Sequence, residues 1–137
     1  MERVVIDPAV LIGALITPDG YPATLWRAVL AEQIAVVVCP RLLAELAGVL
    51  ERPKFRRYAT LEEARAFVVE VARYGESLSD PTVPLPPASR DPNDDYLVAL
   101  AKTAVACALV SGDHDLTEMP DANPPALTPR QAVEELL

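Results

Sequence analysis

The sequence predicts an α/β fold in three layers, with a short central parallel sheet and helices on both of its faces. Three observations predict it. The strand candidates are short, β-branched and apolar along their whole length, as strands covered on both faces must be. They alternate with helical patterns, and parallel strands need such crossovers. Proline stands repeatedly where a helix would begin. The 14 prolines among 137 residues are about twice the usual share of roughly 5 %, so their placement is informative.

"RVVID" (3–7) reads as a buried strand. "DP" at 7–8 then opens a helix over about 8–16. Asp7 is a good N-cap, and Pro8 falls at the first helical position, where its missing N–H would lack a partner anyway. "YP" at 21–22 opens a second helix over 22–32, and "IAVVV" (34–38) is a second strand. "CP" at 39–40 opens the helix "PRLLAELAGVLE" (40–51). "TLEEARAFVVEVARYGE" (60–76) is a longer helix, started by a capping box of Thr60 and Glu63. Residues 77–90 are rich in Pro and Ser, with a short strand expected near Val83. "DP" at 91–92, with Asp91 as cap, opens a helix over 92–104. "CALVSG" (107–112) is a strand. A Pro-rich loop at 120–126 leads to a short strand near Leu127, and "TP" at 128–129 opens a last helix to Leu136. There is no internal repeat. Neither Pro-rich stretch is flanked by core enough to fold alone, so a single domain is expected over 1–137.

Composition narrows the function classes. Hydrophobic residues at 51 % and charged residues at 23 % describe a globular chain rather than a disordered one. No stretch approaches the roughly 18–20 apolar residues of a membrane span. The opening "MERVVIDP" lacks the pattern of a signal peptide, so the cytoplasm is the expected compartment. Cys39 and Cys107 lie far apart with no CxxC, and read as buried free thiols. His114 is the sole histidine, which excludes a His-rich zinc site. A net charge of −8 argues against coating nucleic acid by bulk electrostatics. It does not argue against meeting nucleic acid through bound metal ions. The main basic cluster is Arg52, Lys54, Arg56 and Arg57 in "ERPKFRR". It reads equally as a guide for phosphates or as a solvated loop after a helix.

The acidic residues carry the chemistry. In an open parallel sheet, functional groups collect beyond the carboxyl ends of the strands. Asp7 ends the first strand, and Asp113 and Asp115 follow the strand 107–112. Asp94 and Asp95 fall in the first turn of the helix leading into that strand, and Glu45 on the helix 40–51 can join them. Each has a bland reading as well. Asp7 and Asp91 can be caps, Asp94 and Asp95 can complement a helix dipole, and Glu45 can pair with Arg41 four residues earlier. Asp113 and Asp115 can be turn residues. The conjunction favours more than that, because crowded carboxylates repel unless a cation neutralises them. Mg²⁺ and Mn²⁺ prefer such oxygens. These ions activate water and stabilise the leaving oxygen in displacement at phosphorus.

"VVIDPAVLIGAL", "CPRLLAELAGVLERPKFRR", "RDPNDDYLVALA" and "ALVSGDHDL", in this order, resemble the PIN-domain family, and most of all its VapC-type toxins of bacterial toxin–antitoxin pairs. The likeness covers nearly the whole chain, and the last two segments are the most specific. The resemblance implies a PIN-like fold and a Mg²⁺- or Mn²⁺-dependent endoribonuclease acting on RNA. It implies catalytic acids at Asp7, Glu45, Asp95 and Asp113, with Asp94 and Asp115 as further metal ligands and Ser111 as the supporting hydroxyl. It implies a homodimer held in check by a small cognate antitoxin. Three positions depart from the family pattern. Pro8 and Ala9 replace a polar Thr-Asn pair, and Cys39 replaces a Ser. Loss of such supporting groups can cost about 10–100-fold in activity or metal affinity. The alternative reading is therefore a catalytically impaired PIN-fold protein that binds protein or RNA. A phosphotransfer receiver is the weaker third idea, because Lys102 falls inside a helix rather than at a strand end.

Overall fold

The computed structural model describes residues 1–82, 95–118 and 122–137. Five strands form one sheet: β1 (Arg3–Ile6), β2 (Ala35–Val38), β3 (Glu76–Ser77), β4 (Ala108–Val110) and β5 (Ala126–Leu127). Their order across the sheet is β3-β2-β1-β4-β5, and every neighbouring pair is parallel. β1 is thus the middle strand. Val4 of β1 lies opposite Val36 on one side and Ala108 on the other.

The helices are α1 (Pro8–Ile16), α2 (Tyr21–Leu30), α3 (Pro40–Leu50), α4 (Leu61–Tyr74), α5 (described from Asp95 to Thr103), α6 (His114–Thr117) and α7 (Pro129–Leu136). Prolines stand at the start of α1, α2, α3 and α7, as the sequence predicts. Thr60 and Thr128 each close a full capping box, with Glu63 and Gln131. Val4–Ile6 of β1, Val36–Val38 of β2 and all of β4 are unbroken buried runs. Side chains alternate between faces along a strand, so an unbroken buried run means that both faces are covered. α5 packs on β1 and β4, while α1 packs against α2 and α3, α3 against α4, and α7 against α2. Between α2 and α4, Trp26 meets Phe67 edge to face, with ring centroids 5.7 Å apart.

Several expectations need correction. The helix over 60–76 stops at Tyr74, and the next residues form β3. Gly75 is the break, because its backbone lies against Val38 and the Val71 carbonyl, where a side chain has no room. The helix over 22–32 stops at Leu30, and the chain leaves it through Glu32 in a left-handed conformation, φ 59°. The presumed loop after α3 is a short 3-10 helix, Pro53–Arg57. The expected strand near Val83 and the caps and acids at Asp91 and Asp94 lie outside the described residues.

Candidate active site

β1 pairs with β2 on one side and β4 on the other, and the connections to these two neighbours lead in opposite directions across the sheet. This is a topological switch point, where open α/β sheets form crevices beyond their carboxyl ends. Asp7 and Ser111 are the residues that leave β1 and β4 there. The two strands are stitched up to that edge, where the Asp7 N–H donates to the Val110 carbonyl at 2.9 Å.

Asp7 uses both of its carboxylate oxygens. One carboxylate oxygen caps α1, accepting from the Ala9 N–H at 3.0 Å. The other accepts from the Ser111 hydroxyl at 2.9 Å. Ser111 Oγ in turn accepts from the Asp113 N–H at 3.0 Å. One fully buried hydroxyl therefore joins the ends of two central strands and sets the spacing of two acids. Burial pushes the Asp7 carboxyl above its ordinary value. The hydrogen bonds from Ala9 and Ser111 work against that, and the nearby Asp113 charge adds to it. Such a carboxyl holds its proton more tightly than in water, and a cation beside it would release it.

Glu45 stands on an exposed position of α3, and its Oε2 accepts from the Tyr96 hydroxyl at 3.1 Å. The phenol is pushed far above its ordinary value, first by burial and then by Glu45, with weaker contributions from Cys39 and Asp7. Those four residues therefore share one electrostatic neighbourhood. Asp95 begins the described part of α5 and is 1 % exposed. Carboxylates are almost never so deeply buried unless a partner justifies it. Asp115 lies in α6 and Asp94 outside the described residues.

The basic cluster divides. Arg52, Lys54 and Arg57 are exposed. Arg56 donates to the Leu50 carbonyl at the end of α3, a C-capping role that commits its guanidinium to the fold.

Two residues escaped the sequence reading. Tyr96 looked like one more apolar helix position. Asp80 lies beyond β3, and its carboxylate accepts from the Arg41 N–H at 2.9 Å. It thereby caps α3, which the Cys39 side chain does not do. Burial, and next the Asp80 carboxylate, push the Cys39 thiol up, so it stays a neutral thiol. The signal was present in part, since a helix opening at Pro40 without a capping side chain implies a supplier from elsewhere. Nothing in the sequence says which residue that is.

The oxygens gathered here are of the kind Mg²⁺ and Mn²⁺ take. Among the described residues, no three acidic groups stand close enough to form a complete metal cluster. The donor set fits a hard divalent ion in chemistry, with Asp7 and Asp113 as its best-defined pair.

Ser111→Ala removes the hydroxyl from Asp7 and leaves the Asp113 N–H without that acceptor. A loss of about 1–3 kcal/mol is expected, read as a lower urea midpoint with unchanged slope. An unchanged midpoint would mean the bridge contributes nothing.

Fold and site together define a parallel α/β domain with acidic groups at its switch point. The chain belongs to the PIN-domain family, whose profile matches residues 3–115, and PIN domains are generally metal-dependent nucleases. A relative in Methanocaldococcus jannaschii, the uncharacterized protein MJ1680, is 28 % identical over 121 residues, covering 88 % of this chain and 77 % of that one. The crystal structure of PAE2754 from Pyrobaculum aerophilum is similar with a TM-score of 0.67 at 17 % identity, covering 99 % of this chain and 89 % of that one. A chain of VapBC2 from Rickettsia felis, solved bound to a DNA fragment from its promoter, is similar with a TM-score of 0.61 at 12 % identity, covering 92 % and 98 %. At these identities the structural likeness is one of fold. No helix among the described residues is long and apolar enough to cross a membrane.

Proposed function

We propose that this chain is an endoribonuclease dependent on Mg²⁺ or Mn²⁺, and the toxin of a toxin–antitoxin pair. The observation that supports it most is the Asp7–Ser111–Asp113 unit at the switch point of the sheet. Asp7, Glu45, Asp95 and Asp113, with Asp94 and Asp115, would hold the ion. Bound there, it would activate water and stabilise the leaving oxygen of a phosphodiester. The chain's own residues prepare that site. Ser111 and the Ala9 N–H fix the two oxygens of Asp7, and Tyr96 holds Glu45. Arg52, Lys54 and Arg57 supply exposed positive charge for the RNA backbone. The reading includes a single domain over 1–137, a homodimer, a small antitoxin partner and a cytoplasmic setting. The family and the VapBC2 neighbour support it at the level of family and fold.

The test is cleavage of a mixed labelled RNA pool with Mn²⁺ or Mg²⁺, with EDTA, and with Asp95→Asn beside the wild type. Metal-dependent cutting that the folded variant lacks is the expected result. An uncut pool would favour the second reading, a PIN-fold binding module. Pro8 and Ala9 favour that reading, since neither offers a polar side chain beside Asp7. Mn²⁺ separates the two without RNA. At 100 times its Kd an ion bound by the folded state adds about 2.7 kcal/mol, a rise in Tm on the order of 10 °C.

A further inference from the structure

We infer that Tyr96 is a positioning residue, which fixes the Glu45 carboxylate at the acidic site and is itself clamped by Arg41. The inference rests on the metal reading of the acids given above. Glu45 has a long side chain with several rotamers, on an exposed helix position. Tyr96 is the opposite, among the largest fully buried side chains and mobile about only two torsions. Its hydroxyl meets Glu45 Oε2 at 3.1 Å, across 51 residues of sequence. A rigid donor aimed at one oxygen selects one orientation of the carboxylate.

The clamp comes from α3 itself. Arg41 lies one turn before Glu45, and its guanidinium carbon stands 4.3 Å from the centre of the Tyr96 ring. That places a cation over the ring face, where the ring quadrupole attracts it. The Arg41 backbone is held in turn by Asp80. Tyr96 also follows Asp95 directly, so the same turn of α5 presents one acid and orients another.

The simpler account is that a buried phenol needed a partner and found the nearest one. A double-mutant cycle on the full chain separates the two. Wild type, Tyr96→Phe, Glu45→Gln and the double variant are titrated with Mn²⁺, bound ion being read from loss of the free-ion EPR signal. Phenylalanine keeps the ring beneath Arg41, and melting without metal checks each fold. Tyr96→Phe is expected to weaken Mn²⁺ binding about tenfold in the wild-type background and to add no loss in the Glu45→Gln background. It is also expected to lower kcat for RNA cleavage more than it raises KM. Unchanged Mn²⁺ affinity in Tyr96→Phe, or an equal loss in both backgrounds, would overturn the positioning role. A wild type that binds no Mn²⁺ would overturn the metal reading itself, and this inference with it.

Discussion

Asp7→Asn is expected to abolish metal-dependent RNA cleavage and to make the metal-free protein more stable at neutral pH. The first effect follows from losing a charged oxygen donor, and should exceed the roughly 10–100-fold cost of changes beside a metal site. The second follows from linkage. The Asp7 carboxyl is raised in the folded state above its ordinary value of 3.8, so between that value and the folded one the native state binds more of the proton than the unfolded chain. Stability in metal-free buffer therefore falls as pH rises through that window. Asparagine is neutral throughout. Its carbonyl can still accept from the Ala9 N–H, and the Ser111 hydroxyl can turn to accept from the amide. The gain at pH 7 should be about 1 kcal/mol, typical of relieving a site held for function. Melting both proteins from pH 4 to 8 with EDTA checks it. The curves should meet near pH 4 and separate upward. A variant less stable than wild type at pH 7 would refute the argument.

Gly75→Ala should destabilise the fold by about 2 kcal/mol, within the range for overfilling a packed site. The added Cβ would lie 2.8 Å from both methyl groups of Val38 and 2.8 Å from the Val71 carbonyl oxygen. Neither can yield cheaply, because valine is stiff about its one torsion and the carbonyl belongs to α4. The expected drop in Tm is on the order of 5–10 °C. Val38 is the strand partner of Ser77, and the Leu78 N–H bonds its carbonyl at 2.9 Å. Shifting that strand moves Asp80, and with it the cap of the helix that carries Glu45. The variant should therefore bind Mn²⁺ more weakly even below its Tm. A Tm within 1 °C of wild type, by the same rough scale, would show that Val38 rotates away without cost.

The fold was legible wherever local chemistry decided it. Prolines at 8, 40 and 129 and the threonine caps at 60 and 128 mark helix starts that the structure places at the same residues. The runs at 4–6, 35–38 and 108–110 announce buried strands by being apolar without alternation. β3 was not legible. It is two residues long, Glu76 and Ser77, with neither apolar nor branched, and it is a strand because Val37 and Val38 offer it a backbone to pair with. The ends of helices were less readable than their starts, since Gly75 acts through a tertiary contact.

Of the candidate site, the positions of Asp7, Ser111 and Asp113 beyond the ends of β1 and β4 were legible because strand ends are legible. Asp95 is buried at the head of a helix whose next six residues are also buried. The links between elements were hidden. No periodicity in the sequence joins Tyr96 to Glu45 or Asp80 to Arg41, since each pair is created by packing.

The sheet order also governs when the site can exist. Asp7 precedes its hydroxyl partner by 104 residues of chain. β1 can pair early with β2, but its other edge stays open until Ala108–Val110 have been made. No shortened product ending before Ser111 can bring the two acids together. A chain made from its N-terminus therefore cannot join Asp7 to Asp113 until β4 and the hydroxyl that follows it are in place.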